Sequence, residues 1–235
     1  AFVMTPASPI VAAEMNKTGT TDEAFRARLR NLSDLFEIGL HGHYCRPCAD
    51  PSGPANEAWL RGAGFELTSG EPNLVREQFK LEYDYLAANG YKSELYCAGW
   101  WLLNETVVRL LEEYSFKADC SVRHGCDDTF GARYLRREQL PGKGRAFILP
   151  PSKNVAEFPS VTYLHLDWWV LVRDLLPMLF SFKGPLFAVL PVHDYSLPEE
   201  GEKVLENIRL LSRIRNVEFV PFSRMPEIAK EEGLT

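Results

Sequence analysis

Apolar positions along the chain alternate between two rhythms, short continuous runs and longer stretches with steps of three and four. Residues 1–4 (AFVM) and 36–40 (FEIGL) predict short strands, as do residues 93–97 (SELYC) and 117–121 (KADCS). Leu186–Val192 is a continuous apolar run and predicts a strand buried on both faces, and Val217–Pro221 predicts a closing strand. Between them lie helical patterns. Thr21–Leu35 has Thr21 as N-cap and Leu29, Leu32 and Leu35 along one face. Asn73–Asn89 carries Val75, Phe79, Tyr83 and Leu86 and stops at Gly90. Asn104 caps a helix to Tyr114 with Val107, Val108, Leu110 and Leu111 apolar. Glu199–Arg213 and Met225–Glu232 complete the helices.

Strand–helix alternation implies parallel strands joined by right-handed crossovers. Six or seven strands allow an incomplete β/α barrel or an open doubly wound sheet. No glycine-rich phosphate loop follows a strand, because Gly142 and Gly144 sit in a polar turn with no helix after it. That favours the barrel. The chain has no linker, repeat or low-complexity tract, so residues 1–235 read as one domain.

Composition narrows the function classes. Of 235 residues 46% are hydrophobic and 25% charged, which suits a single domain with a sizeable core. The net charge of -6 and the lack of a basic stripe argue against nucleic acid. The most apolar long stretch, Leu164–Phe182, is broken by Asp167, Arg173, Asp174 and Pro177, so it predicts an amphipathic helix and no membrane span. Five cysteines are too few and odd in number for a disulfide scaffold, and fit a reducing, cytoplasmic location better than a secreted one. Cys45 and Cys48 form a lone C-x-x-C without the second pair of a zinc ribbon.

The chemistry-bearing segments sit at strand exits, where α/β folds build active sites. The run FEIGLHGHYCRP releases His41, His43 and Cys45 from the end of a strand. Imidazole and thiolate are both zinc ligands, and the four-residue spacing of His41 and Cys45 lets both grip one ion if the loop turns helically. His43 is expected to point elsewhere. His193 follows the run 186–192 and is a candidate general acid. His124 and His165 lack such context and are read as structural. Trp100 and Trp101, one of two WW pairs, offer faces on which a sugar could stack.

These segments resemble the motifs of polysaccharide deacetylases, the NodB-homology or carbohydrate esterase family 4 group. EIGLHGHYC resembles the family's His-x-x-x-His metal motif. CAGWWLLNETVVRLLEEYSFKADCS resembles its Arg-x-x-Gly-Trp segment with the following helix and Asp-Ser strand, and VLPVHDYSL its last motif with a catalytic His. The resemblance, spanning roughly residues 1–225, implies an incomplete (β/α)7 barrel of mostly parallel strands. It implies a divalent metal, commonly zinc, and removal of N-acetyl groups from an amino sugar or glycan. Carried over by position, His41 is a metal ligand, Cys45 stands where the second metal His is expected, Trp100 lines the pocket and His193 is the acid. Cys97 occupies the place of the motif's Arg, within the substrate pocket. The Asp–Asp strand supplying base and third ligand is expected upstream of Ala1. A second reading, a catalytically degenerate relative that binds glycan through Trp100 and Trp101, also fits.

Overall fold

The computed structural model describes residues 1–44, 71–101, 103–123, 135, 142–180, 185–194 and 197–233, apart from the side chains of Trp100 and Leu179. Elements run in the order β1 (Phe2–Val3), α1 (Pro9–Thr18), α2 (Asp22–Ser33), β2 (Gly39–Gly42), α3 (Pro72–Ala88), β3 (Leu95–Ala98), α4 (Glu105–Glu113) and β4 (Ala118–Asp119). After them come β5 (Phe147–Ile148), β6 (Ala156–Glu157), α5 (Trp168–Leu179), α6 (Leu197–Leu211) and α7 (Met225–Glu231). Among the described residues the sheet has the order β1-β2-β3-β4-β6-β5, all parallel except β5 on β6. This is the mixed α/β layout of a partial β/α barrel.

The helices start and stop where local chemistry dictates. Thr21 accepts a hydrogen bond from the Ala24 amide (3.2 Å) and Asn104 from the Val107 amide (3.0 Å), satisfying donors that the first helical turn leaves open. Beyond α3, Gly90 adopts φ 89°, and the amides of Gly90 and Tyr91 return to the carbonyls of Ala87 and Leu86, closing a Schellman motif. The sequence signals for α1 went unread, although Ser8 before Pro9 is a helix start with proline in its first turn.

Strand register separates two layers. Val3, Leu40 and Tyr96 face α3 and α4, where Phe79, Leu86, Val107, Val108, Leu110, Leu111 and Phe116 form the main core. Phe2, Leu95, Ala118, Ala156 and Phe158 face the other way and pack with Phe187 and Phe222. Phe222 contacts Phe2 on β1 (5.6 Å between centroids) and Phe158 beyond β6 (5.7 Å), so one ring bridges the sheet's two sides across its concave interior. That curl selects the barrel over an open sheet.

Two expected strands are corrected. The run 186–192 makes only a single parallel bridge, Val189 to Ser160, and Ala188 is exposed, so it is not a strand buried on both faces. Residues 217–221 form no ladder, and Phe219 is 53% exposed. The Leu164–Phe182 stretch yields the 12-residue α5 with Pro177 inside it, and among the described residues no helix is long and apolar enough to cross a membrane.

Candidate active site

The site is assembled at the C-terminal ends of the parallel strands. His41 on β2 and His43 just beyond its end are two residues apart, so an extended chain puts both rings on the same, concave side. The expectation that His43 points away from His41 is therefore corrected, because the strand's period of two unites rather than separates them. Their Nε2 atoms lie 3.1 Å apart, with ring centroids at 4.8 Å and planes at 77°. His41 Nδ1 sits 2.9 Å from the carbonyl oxygen of Cys97, its partner in the β2–β3 register. Donation from Nδ1 to that carbonyl leaves the Nε2 lone pair of His41 facing His43 Nε2. His43 is buried, and burial first, then His41 and His193, hold its pKa well below the usual imidazole value.

Gly99 creates the room for this pair. A Cβ at position 99 would fall inside the His43 ring. The next residue but one, Trp101, ends a 3-10 turn with φ 55°, a left-handed backbone rare for so bulky a residue.

His193 arrives at the same mouth. The segment after β6 runs beside the one leading to His193, with Val161 N donating to Val189 O (3.0 Å) and Leu164 N to Pro191 O (3.1 Å). Tyr163 thereby reaches the His193 ring (6.0 Å between centroids). Burial, then the neighbouring His41 and His165, lower the His193 pKa, so its ring is neutral at pH 7. The structure thus brings His41, His43 and His193 into one neighbourhood. His165, read as structural, stacks on the other side of Tyr163 at 5.1 Å.

Cys97 lies under His41. A hydrogen bond from the Cys120 thiol, then the His41 imidazole, pull its pKa down to about 5. Trp101 stands edge-on to Tyr163 (5.6 Å, 73°), and the Arg123 guanidinium lies over both rings, 4.9 Å from the Trp101 centroid and 4.6 Å from that of Tyr163. Sequence reasoning missed Arg123 and Tyr163. Cys45 and the Trp100 side chain lie outside the described residues.

Sequence reasoning also missed the buried acids, which stand on the opposite, helix-facing side of the sheet. Tyr96, Asp119 and Glu157 are in register across β3, β4 and β6. Glu157 accepts from the Val122 amide (2.9 Å), and Asp119 accepts from the Ser121 hydroxyl. Burial raises the Asp119 pKa to about 7 and that of Glu157 well above its ordinary value, so the pair retains protons near neutrality. By register these carboxyls lie on the sheet face opposite the imidazoles.

Two facing Nε2 atoms suit a divalent ion. A tetrahedral zinc with bonds of ~2.0–2.1 Å holds neighbouring nitrogens about 3.3 Å apart, close to the separation seen here. His41 and His43 fit two ligand positions, and among the described residues no group of three His, Cys, Asp or Glu completes a set.

No family model matches the chain, and no curated protein matches it in sequence. Among solved structures, it is similar to one described as "putative polysaccharide deacetylase from Mycobacterium smegmatis", with a TM-score of 0.56 and 15% identity. The match covers 99% of this chain and 79% of that one. At that identity the likeness is one of fold.

Proposed function

We propose that this chain hydrolyses the acetamido group of an N-acetylated sugar or glycan at the mouth formed by His41, His43 and His193. The observation that carries the reading is the imidazole pair: two Nε2 atoms 3.1 Å apart, one ring oriented by the Cys97 carbonyl. The fold shared with a protein described as a "putative polysaccharide deacetylase" supports it.

His41 and His43 would hold a divalent ion, zinc by ligand type, with Cys45 as a further candidate ligand. When bound, such an ion supplies Lewis-acid polarisation of the acetamide carbonyl. The chain's own residues supply the proton traffic. Neutral His193 takes a proton from water as the water oxygen bonds to the acetamide carbon. It returns that proton to the nitrogen as the C–N bond breaks, releasing acetate and the free amine. Trp101 provides an apolar wall for the sugar ring beside that path, and Trp100 and Cys97 are further candidates for the pocket lining.

The test is acetate release from an N-acetylglucosamine oligomer with and without added zinc. Zinc-dependent release in the native chain, lowered about 100-fold or more by His193→Ala, supports the reading. The second reading, a glycan-binding relative without catalysis, is favoured by the lack of a complete ligand set among the described residues. Oligomer binding with no acetate release at any zinc concentration would establish it.

A further inference from the structure

We propose that Arg123 forms a carboxylate-binding subsite at the mouth, so that the glycan recognised there carries an acidic sugar. This deepens the glycan reading above and rests on it for the location of the sugar chain.

The guanidinium is held, and among the described residues it is not neutralised. Its carbon lies 4.9 Å from the Trp101 ring centroid and 4.6 Å from that of Tyr163, and these two rings meet at 73°. Arg123 is further fixed through its backbone, which bridges to Ser160. A planar guanidinium can lie flat on only one of two rings that meet at 73°, and its N–H groups turned away from both rings are the route for an acceptor. Among the described residues no carboxylate pairs with that edge and no hydrogen bond consumes it.

Three acids among the described residues are engaged elsewhere. Asp194, one residue beyond His193, bonds Arg28 (2.9 Å). Asp119 and Glu157 are buried on the helix-facing side of the sheet and keep their protons. In a chain of net charge -6, an arginine held against two rings with no carboxylate partner among the described residues is therefore conspicuous. A second donor beside it is also unmet. The Trp101 indole Nε1 is shielded from solvent and finds no acceptor. The one described carboxylate near this corner, Glu200, pairs with His165 (3.7 Å), the ring stacked on Tyr163, while the Arg123 end presents donors and aromatic faces, which suit an anion.

A carboxylate meets the requirement best. Its two oxygens match the planar fork of arginine and form two charge-assisted hydrogen bonds. Holding the guanidinium against two rings in advance removes much of the entropy lost when an arginine is recruited. The Arg123–Tyr163–His193 series then sets the spacing, with the acidic group over Tyr163 on the Arg123 side and the reacting group on the His193 side.

The experiment measures binding to the full chain by calorimetry with probes that carry no acetamide. Methyl β-glucuronide, methyl β-glucoside and glucose 6-phosphate present a carboxylate, no charge and a phosphate. The native chain should bind the glucuronide about tenfold more tightly than the glucoside, as expected for a charge-assisted pair. Arg123→Gln should erase that preference while melting within a few degrees of the native chain. Arg123→Lys, which keeps charge but loses the fork, should lose most of it. If Arg123→Gln does not fold, the native-chain comparison and Arg123→Lys decide.

Equal affinity for glucuronide and glucoside, or a preference untouched in Arg123→Lys and Arg123→Gln, overturns the proposal. A preference for glucose 6-phosphate with glucuronide no better than glucoside overturns it in favour of a phosphate site. Because no probe can be deacetylated, an absence of acetate release in the earlier test leaves this result standing. Conversely, acetate release without glucuronide preference refutes the subsite alone.

Discussion

Replacing Glu82 with glutamine should stabilise the fold, by an amount that grows with pH. Glu82 lies on the face of α3 that also buries Val75, Phe79 and Leu86, and it is fully buried. Neither carboxyl oxygen has a hydrogen-bond partner of normal geometry, although the Thr5 backbone lies near enough to favour the charged form slightly. Burial dominates and raises its pKa from an ordinary 4.5 to about 8. A carboxyl whose folded pKa is raised is tolerated fully at low pH, and its contribution is lost as pH climbs from the unfolded value through the folded one. At 1.36 kcal/mol per pKa unit, the cost relative to pH 3 is ~1 kcal/mol at pH 5, ~3 kcal/mol at pH 7 and ~5 kcal/mol at pH 9. Glutamine has the same shape and no proton to lose, so Glu82→Gln should remove that rising term. Urea unfolding of both proteins at pH 5, 7 and 9 measures the difference, and the titrations of Asp119 and Glu157 cancel between them. A difference that stays flat across the three pH values, or a glutamine variant less stable at pH 9 than at pH 5 relative to the native chain, would show that Glu82 is not held protonated by burial.

His43→Ala should weaken zinc binding as severely as His41→Ala, measured by metal titration, whereas a loss confined to His41→Ala would mean that the facing nitrogens do not share an ion. The hydrolysis rate should hold through neutral pH and fall on acidification below the ordinary histidine range, because protonated His193 cannot accept a proton; a rate that rises on acidification would reverse its role. Cys97→Arg should lower the melting temperature without raising activity, since it sets a cation against His41 in a site with no facing acid among the described residues; a large rate gain would reveal a base. Asn104→Ala should cost about 1 kcal/mol in urea unfolding by freeing the Val107 amide, and no change would mean that solvent replaces the cap.

Much of the architecture was legible because its signals are local. The Thr21 and Asn104 caps, the Gly90 stop and the apolar faces of α3 and α4 each depend on residues within a turn or two. The two-residue strands β5 and β6 gave too short a signal, since the runs AFIL (146–149) and VAEF (155–158) each end at a proline after four residues, and Ala156 and Glu157 take strand form by pairing with β4. Glu157 and Asp119 were unreadable for the same reason, because their burial is set by register across three strands. His41 and His193 stood out at strand exits. His43 was legible in principle, and the strand period should have placed it with His41. Arg123 was not, because its meaning comes from Trp101 and Tyr163, 22 and 40 residues away in the chain. The Leu186–Val192 run was misjudged because apolar composition alone does not report pairing.

The His43 ring packed directly over Gly99 makes the order of mutations matter. With His43 in place, almost any side chain at 99 collides with its ring, so Gly99→Ala is costly in this background. Once position 43 holds a small residue, the same change meets little resistance. Loss of the imidazole therefore opens position 99 to drift, and a chain that has drifted there cannot regain His43 in one step. The two positions form an epistatic ratchet, and a double-mutant cycle of Gly99→Ala with His43→Ala would show it as a coupling of the kind expected for residues in contact. Descendants that abandon the paired imidazoles would be recognisable by side chains at 99, and their way back to this chemistry would require the glycine first.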